Sequence, residues 1–421
     1  MHTDQQKRQR EVDPDQYGRA LDDGGTLPKS SPLPVILLSL LLCIVVAAAG
    51  LFIFWPSNGD NGAQMKGTDG TGGASATTKA ANVVTGGILH AGSVAVKTYP
   101  ISHPNVDLMP PIADKQGNIW FGDMSNNRLV RLDTRTGKIA DWPLTQNQNG
   151  IMNTVLDEQG NVWFAEQSSN SIGRFQPQQQ QLQRFQLPTT QGQRLSPQDL
   201  FFDAKGMLWF TAVSSGQLGQ LDPATGKVRL WSLPQVDGNQ LYPYSITIDS
   251  QGQIWLGMLT GGVIARFDPA TTQFTISKLA DPQMEVSALA SEQHGQIWFA
   301  ELQTGKIGKI DVKTRQVTEY QVPSGTQQTD TPLTFSGIAV SAQGEVWIAC
   351  PNGHTLIRYL PQTKTFTAVK PSIAQSQPYH LTFDTHNHLW LTSSGDASSS
   401  YIGEIDPAQV HTINEVQSPL Q

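Results

Sequence analysis

One line of sequence recurs along most of this chain and constrains its fold more than any other feature. Residues 295–323 read GQIWFAELQTGKIGKIDVKTRQVTEYQVP, and residues 160–188 and 206–234 repeat the same order of features. Each copy has a Gly-x-apolar-Trp start, a polar stretch, an Ile-Gly-Arg-like run and a terminal Leu/Val-Pro. The copies are marked, at intervals of 43 to 49 residues, by Trp120, Trp163, Trp209, Trp255, Trp298, Trp347 and Trp390. A repeat of this length is typical of a propeller blade.

Each copy contains four short segments with strand character. In the fourth copy these segments are 244–250, 254–259, 263–269 and 274–279, separated by turn residues such as Gly, Asp and Pro. Alternation with a period of two and β-branched residues predict strands, and no copy shows a helical period. We therefore expect an all-β protein, a seven-bladed β-propeller of four-stranded blades over residues 95–417. The seven tryptophans are expected to form its core.

Two segments compete for the outer strand of the last blade. Residues 95–101 (AVKTYPI) resemble the last strand of a copy, and residues 412–416 (TINEV) have the same character. An N-terminal strand in this position would close the ring and remove a free sheet edge. The sequence leaves both assignments open.

Composition excludes some classes of function. The net charge of −7 over 421 residues argues against nucleic-acid binding, which needs a basic surface to neutralise phosphates. Cys43 and Cys350 are far apart, and no Cys/His zinc spacing occurs, so stability must come from packing. His386-Asn-His388 resembles a pair of metal ligands, but we expect a surface turn because no third ligand is visible.

A long apolar segment precedes the repeats. Residues 35–55 form a run of 21 residues without a charge, which at ~1.5 Å per residue can cross a hydrocarbon layer of roughly 30 Å. The alternative is a cleaved signal peptide, whose apolar core is usually shorter, at ~7–15 residues. Basic residues are concentrated before the segment, at Lys7, Arg8, Arg10, Arg19 and Lys29, whereas the linker after it holds only Lys66 and Lys79.

This distribution of Lys and Arg predicts an orientation. The more basic side of a membrane segment stays in the cytoplasm. We therefore expect residues 1–34 to be a disordered cytoplasmic tail and 35–55 a single transmembrane helix. Residues 56–94, rich in Gly, Thr and Ala, are expected to form a flexible linker to an extracytoplasmic propeller at the cell membrane.

Functional residues are expected where the copies differ, at the central rim where the first strands begin. Positions ten and eleven residues before each tryptophan, with their neighbours, supply the candidates. The candidate ligand-binding residues are Asn153, Asp199, Tyr242, Tyr244 and Tyr379, and the candidate catalytic residues are His380 and Glu285. A histidine, carboxylates and tyrosines can bind a polar ligand or transfer protons. The same residues also fit a solvated channel mouth, and the sequence leaves both readings open.

The line W-F-A-E…G-K-I-G-K-I-D…T-E-Y-Q-V-P resembles the repeat of the virginiamycin B lyases, also called streptogramin lyases, over roughly residues 95–417. The resemblance implies a seven-bladed propeller that opens a cyclic depsipeptide by magnesium-dependent elimination. It also implies catalytic histidines in Pro-His segments at first-strand starts of late repeats, with glutamates nearby.

This chain departs from that pattern at the histidines. The Pro-Tyr pairs at 243–244 and 378–379 match the segment, but tyrosine takes the place of histidine, and His380 follows one residue later. A shift of one residue in a strand turns a side chain to the opposite face. The fifth and sixth copies hold Ser287 and Ser336 there.

The resemblance to the family, together with the difference at the histidine positions, leaves two possible functions. The first is a membrane-anchored propeller that binds a small molecule, a cell-envelope component or another partner at its rim. The alternative is a metal-dependent lyase or lactonase-like enzyme acting on a cyclic ester around His380, Asp199 and Glu285, with magnesium as the cofactor that the resemblance implies.

Overall fold

The structure is a computed structural model that describes most of the repeat region. It describes residues 75–76, 81–85, 88–103, 106–144, 150–292, 295–323, 332–394 and 400–415. The predicted tail 1–34 and the predicted transmembrane segment 35–55 lie outside these residues. Within the described ranges, no helix has the length and apolar character needed to span a membrane.

Short strands make up almost all of the regular structure. In chain order they are β1 (Ser75–Ala76), β2 (Asn82–Val84), β3 (Ile88–Val94), β4 (Lys97–Pro100), β5 (Ile112–Ala113), β6 (Asn118–Asp123), β7 (Arg128–Asp133), β8 (Lys138–Pro143), β9 (Ile151–Leu156), β10 (Val162–Glu166), β11 (Ser171–Gln176), β12 (Gln181–Gln186), β13 (Thr189–Thr190), β14 (Gln193–Arg194), β15 (Pro197–Phe202), β16 (Leu208–Ala212), β17 (Gln217–Leu221), β18 (Val228–Ser232), β19 (Pro243–Ile248), β20 (Ile254–Met258), β21 (Val263–Asp268), β22 (Gln273–Lys278), β23 (Val286–Glu292), β24 (Gln296–Glu301), β25 (Lys306–Asp311), β26 (Val317–Gln321), β27 (Gly337–Val340), β28 (Val346–Cys350), β29 (Thr355–Leu360), β30 (Thr365–Pro371), β31 (Pro378–Phe383), β32 (Leu389–Ser393), β33 (Tyr401–Ile405) and β34 (His411–Glu415). One 3-10 turn, Pro407–Gln409, precedes β34.

These strands form seven antiparallel blades in a ring. The blades are β5–β8, β9–β12, β15–β18, β19–β22, β23–β26, β27–β30 and β31–β33 with β4. The first strand of each blade lies against the first strand of the next, and β31 lies against β5, so the inner strands form a closed circle. The prediction of an all-β, seven-bladed propeller with four-stranded blades is confirmed.

The repeated tryptophan packs at the centre of each blade interface. All seven are at most 1% exposed. Each indole Nε1 donates to an acidic side chain of its own blade, as in the 2.8 Å bond from Trp209 to Asp203. This bond satisfies the one polar atom of a fully buried ring, so the tryptophan can fill the core without an unpaired donor. The predicted core role of these residues is confirmed.

A glycine on the third strand receives an aromatic ring from the second strand in several blades. In blade 5, a Cβ added at Gly308 would overlap the ring of Phe299, and Gly173 and Gly219 stand in the same relation to Phe164 and Phe210. The repeated Ile-Gly pair is therefore a packing requirement, because only glycine leaves room for the ring.

The repeated acidic residue after the tryptophan is used inside its blade. Asp123 accepts hydrogen bonds from the backbone and side-chain amides of Asn126. Glu166 of blade 2 forms a 2.8 Å ion pair with Arg184 and accepts from the hydroxyl of Ser171. The preference for hydrogen bonding within the blade over an acidic ring is therefore confirmed in these two copies.

In blade 5 the acidic residue at the same repeat position has different hydrogen-bond partners. Glu301 accepts a 2.7 Å hydrogen bond from Thr304, while its Oε1 has no hydrogen-bond partner among the described residues. Glu319, rather than an arginine, occupies the position of Arg184, and Lys306 pairs with Glu319 at 3.2 Å. Both glutamates are fully buried, so blade 5 contains two carboxyl groups and one ammonium group in its interior.

The N-terminal strand closes the ring. β4 pairs antiparallel with β33 as the outer strand of blade 7, with Tyr99 opposite Ile402. The Tyr99 ring lies 5.9 Å from that of Trp390 and its hydroxyl donates to Glu404. The other candidate, β34, pairs instead with β3. The choice that the sequence left open is thus decided in favour of the N-terminal segment.

Parts of the predicted linker 56–94 lie along the outside of the ring. β1, β2 and β3 add in parallel to the outer strands of blades 4, 5 and 6, that is, to β22, β26 and β30. We call β1–β3 the strap. These strands extend the propeller, so they do not form a free stalk as expected. Alternation was too weak in this Gly/Thr/Ala-rich segment to predict them, because edge strands bury little side-chain surface.

Candidate functional site

The centre of the ring contains a cavity of about 370 Å³. Its wall comes from the first strands of all seven blades, from the residues just before them, and from Leu259 and Leu302 at the ends of two second strands. Most of the wall is apolar, and a few polar side chains interrupt it, a composition typical of small-molecule sites. We call this cavity the channel.

The structure brings most of the predicted site residues to the channel. Asn153, Asp199, Tyr244, Tyr379 and His380 line it, whereas Glu285 and Tyr242 are not part of its wall. The last two lie in the segments leading into their blades, where the backbone carbonyl of each accepts a hydrogen bond from a residue after the second strand. The offset from the tryptophan therefore located the channel wall correctly, and the two neighbouring residues were placed too close to it.

The variable positions of the wall coincide with β-bulges. Pro378 pairs with Ser393 and His380 pairs with Thr392, which leaves Tyr379 as an extra residue in β31. The same irregularity occurs at the starts of β15, β19 and β23 and at the start of β9.

A bulge bends the strand and breaks strict alternation. Tyr379 and His380 consequently both line the channel, so the one-residue offset of the histidine does not remove it from the site. The expectation from strict alternation is wrong at this position.

Asp199 is held by donors from two neighbouring blades. Its Oδ2 accepts a 2.8 Å hydrogen bond from the backbone of Ile246, and its Oδ1 accepts from Leu200 and from the amide of Asn153. Burial nevertheless raises the pKa of the Asp199 carboxyl to about 6. Asp199 is therefore a fixed polar group in the wall, and most of its acceptor capacity is already used.

The imidazole of His380 has no hydrogen-bond partner in the part of the chain that the structure describes. Its ring lies 6.2 Å from that of Tyr379. Burial lowers the pKa of His380 to about 4, so the imidazole is neutral at pH 7. A neutral imidazole presents one donor and one acceptor, and both are available to a ligand in the channel.

Asp107 is a channel residue that the sequence analysis missed. It stands thirteen residues before Trp120, the position that Tyr242 and Glu285 occupy in their own copies. Counting at that offset in every copy would have found it. Burial and the nearby charge of Asp123 raise the pKa of the Asp107 carboxyl to about 6.

The described channel residues do not form a cluster of protein ligands for the magnesium that the resemblance implies. Magnesium needs a near-octahedral set of oxygen ligands. Among the residues that the structure describes, no group of three or more His, Cys, Asp or Glu side chains could hold a metal ion. His386 and His388 lie in a turn held by Asp384, and His388 pairs with Glu404, in agreement with the predicted surface turn.

A closed ring of seven four-stranded blades around a central channel defines the class of β-propellers. The sequence model of the virginiamycin B lyase family matches residues 60–358 and 235–418, and the chain belongs to that family. No curated protein sequence gave a significant match.

Solved structures agree with this assignment at the level of the fold. A streptogramin B lyase aligns with a TM-score of 0.65 and 20% identity over 76% of this chain and 97% of its own. A catalytically inactive variant of virginiamycin B lyase from Staphylococcus aureus, solved with quinupristin, aligns with a TM-score of 0.65 and 20% identity over 74% and 98% of the two chains. The extracellular domain of a putative hybrid two-component system from B. thetaiotaomicron aligns with a TM-score of 0.54 and 16% identity over 74% and 39%.

Proposed function

We propose that this protein is a membrane-anchored, extracytoplasmic propeller that binds a small ligand in its central channel. The observation that carries the proposal is His380, a neutral imidazole in the channel wall without a hydrogen-bond partner among the described residues. The donor and the acceptor of this imidazole are both free to pair with a polar group of a ligand. A ligand that hydrogen-bonds to His380 and fills the apolar remainder would satisfy both features.

The anchoring part of the proposal rests on the sequence. Residues 35–55 are long and apolar enough to cross a bilayer, and the basic residues on their N-terminal side favour a cytoplasmic N-terminus. Its test is topology mapping of the full chain in cells, with an epitope tag at either end. Protease added outside should degrade the C-terminal tag and spare the N-terminal one, and recovery of both tags in the soluble fraction would sink the anchoring proposal.

The binding part is tested with one pair of histidine variants. His380→Leu removes the channel imidazole at nearly constant volume, and His386→Leu makes the same change on an exposed turn of the same blade. A panel of small aromatic and cyclic-ester compounds, quinupristin included, is screened by ligand-observed NMR against the full chain in detergent.

The compounds that bind the wild type should bind His380→Leu about fivefold more weakly, as expected for one lost hydrogen bond of ~1 kcal/mol. They should bind His386→Leu unchanged. Equal binding to all three proteins, or no binding to the wild type, would contradict the proposal.

A second candidate function is ring opening of a cyclic ester. The observation in its favour is that His380 is held neutral, the form that can accept a proton from a substrate. Incubation of the full chain with quinupristin and simple lactones, with and without added magnesium, tests it by mass spectrometry. Turnover that disappears in His380→Ala supports catalysis. An intact substrate in every sample rejects the catalytic function, and only the binding function then remains.

A further inference from the structure

The charged groups of the channel wall are all acidic. Asp107 and Asp199 belong to the wall, and no lysine or arginine lines it in the described part of the chain. The remaining titratable ring that could carry a positive charge, His380, is neutral at pH 7 because burial lowers its pKa. At neutral pH the channel therefore contains two carboxylates and no compensating cation.

The two carboxylates differ in how many hydrogen bonds they already accept, and therefore in how free they are to bind a ligand. Asp199 accepts hydrogen bonds from Asn153, Leu200 and Ile246. The side chain of Asp107, in contrast, accepts no hydrogen bond from the described residues, although it is largely buried. A carboxylate whose oxygens accept no hydrogen bond keeps its full capacity to pair with a cation that enters the channel.

The surroundings of Asp107 increase its attraction for a cation. Asp123 accepts a hydrogen bond from the backbone of Asp107 and acts on its carboxyl through charge. Arg128 is the cation that acts on Asp123, and it is itself bound to Asp141 and His103. Its charge is therefore already paired with Asp141.

An aromatic side chain, Tyr379, lines the same channel as this carboxylate. The charge of Asp107 contributes, after burial, to raising the pKa of Tyr379, so the phenol lies within electrostatic reach of it and stays neutral. An aromatic ring next to a carboxylate is a favourable environment for an ammonium group, which can interact with both.

We propose that the channel selects a small ligand with an apolar body and one ammonium group, and that Asp107 binds the ammonium. This inference rests on the proposed function, namely that the channel binds a ligand. Tyr379 would lie against the cation and the apolar wall against the body of the ligand. The partners of Asp199 keep it in place as a second negative charge of the wall.

Three probes of nearly equal size test the charge preference. They are phenethylammonium, phenethyl alcohol and hydrocinnamate, titrated into the full chain in detergent by ligand-observed NMR. The ammonium should bind about tenfold more tightly than the alcohol, which corresponds to one ion pair of ~1.4 kcal/mol in a partly buried site. Hydrocinnamate should bind most weakly. This comparison uses the wild-type protein alone and does not depend on the folding of a variant.

Two variants then locate the effect. Asp107→Asn should reduce the affinity for phenethylammonium about tenfold, to that for the alcohol, without changing the affinity for the alcohol. Glu285→Gln is the matched control, because it removes one negative charge at the same repeat position, from a residue that is not in the channel wall. It should leave both affinities unchanged.

The outcomes separate this inference from the proposed function. If the alcohol or hydrocinnamate binds as tightly as the ammonium and binding weakens in His380→Leu, the channel binds ligands but the cation preference is overturned. If the ammonium binds best but Asp107→Asn and Glu285→Gln weaken it equally, the role of Asp107 is overturned. If none of the probes binds up to high millimolar concentration, both proposals fail.

Discussion

The interior of blade 5 provides a stability prediction with a definite sign. Burial and the charge of Glu319 raise the pKa of Glu301 from 4.5 to about 7. A raised native pKa means that the folded protein keeps this proton to higher pH than the unfolded chain does. The contribution of Glu301 to stability is therefore most favourable below pH 4.5, is lost progressively between pH 4.5 and about 7, and stays lost above that.

The magnitude follows from the size of the shift. Each pKa unit corresponds to ~1.4 kcal/mol, so ionisation of Glu301 costs the folded state up to about 3 kcal/mol at pH 8. Glu301→Gln cannot ionise and removes this cost. We expect the variant to match the wild type near pH 4.5 and to be up to about 3 kcal/mol more stable at pH 8, a rise in Tm of ~4 °C for a domain of this size.

The same substitution in blade 2 is the control. Glu166 is paired with Arg184 and Ser171, so Glu166→Gln should lower the free energy of unfolding by ~1–3 kcal/mol through the loss of charge-assisted hydrogen bonds. The assay is thermal unfolding of the full chain, followed by intrinsic tryptophan fluorescence at pH 4.5 and pH 8. A destabilised Glu301→Gln at pH 8, or an effect of equal size at both pH values, would refute the reasoning.

Three further predictions concern the fold. Gly308→Ala should destabilise the protein by ~1–3 kcal/mol, since its Cβ would overlap the ring of Phe299, and thermal unfolding measures this directly; an unchanged Tm would show that the ring moves away freely. Tyr99→Ala should cost about 3 kcal/mol by removing the closure contact with Trp390, seen as a lower urea midpoint with an unchanged slope. A chain shortened to begin at residue 95 should unfold at a lower temperature than one beginning at 75, because three strand pairings on the ring are lost.

The fold could be predicted from the sequence because every copy encodes the same blade. The tryptophan, the Ile-Gly pair and the turn residues each have a local physical role that recurs seven times, so errors in one copy are corrected by the others. Ring closure could not be decided in the same way. Residues 95–101 and 412–416 have equal strand character, and only the packing of Tyr99 against blade 7 distinguishes them.

The site was predictable in position but not in detail. Counting from the tryptophans found the channel wall, including Asp199 and His380. The hydrogen bond from Ile246 to Asp199 joins residues far apart in the chain, and no local pattern reveals it. The β-bulge at Tyr379 was also invisible, because it depends on the register between β31 and β32 rather than on residue type. Asp107 was missed because the positions ten and eleven residues before each tryptophan do not include it; it stands thirteen residues before Trp120.

The strap also gives the ring a graded response to mechanical load. A pull applied before residue 75 acts first on β1, whose two residues pair with blade 4, and then on β2, whose three residues pair with blade 5. Only afterwards does it reach β3, where seven residues pair with blade 6 on one side and β34 pairs on the other. Weak attachments thus yield before strong ones, and tension from the N-terminal side is relieved outside the ring before it can deform the inner strands around the channel.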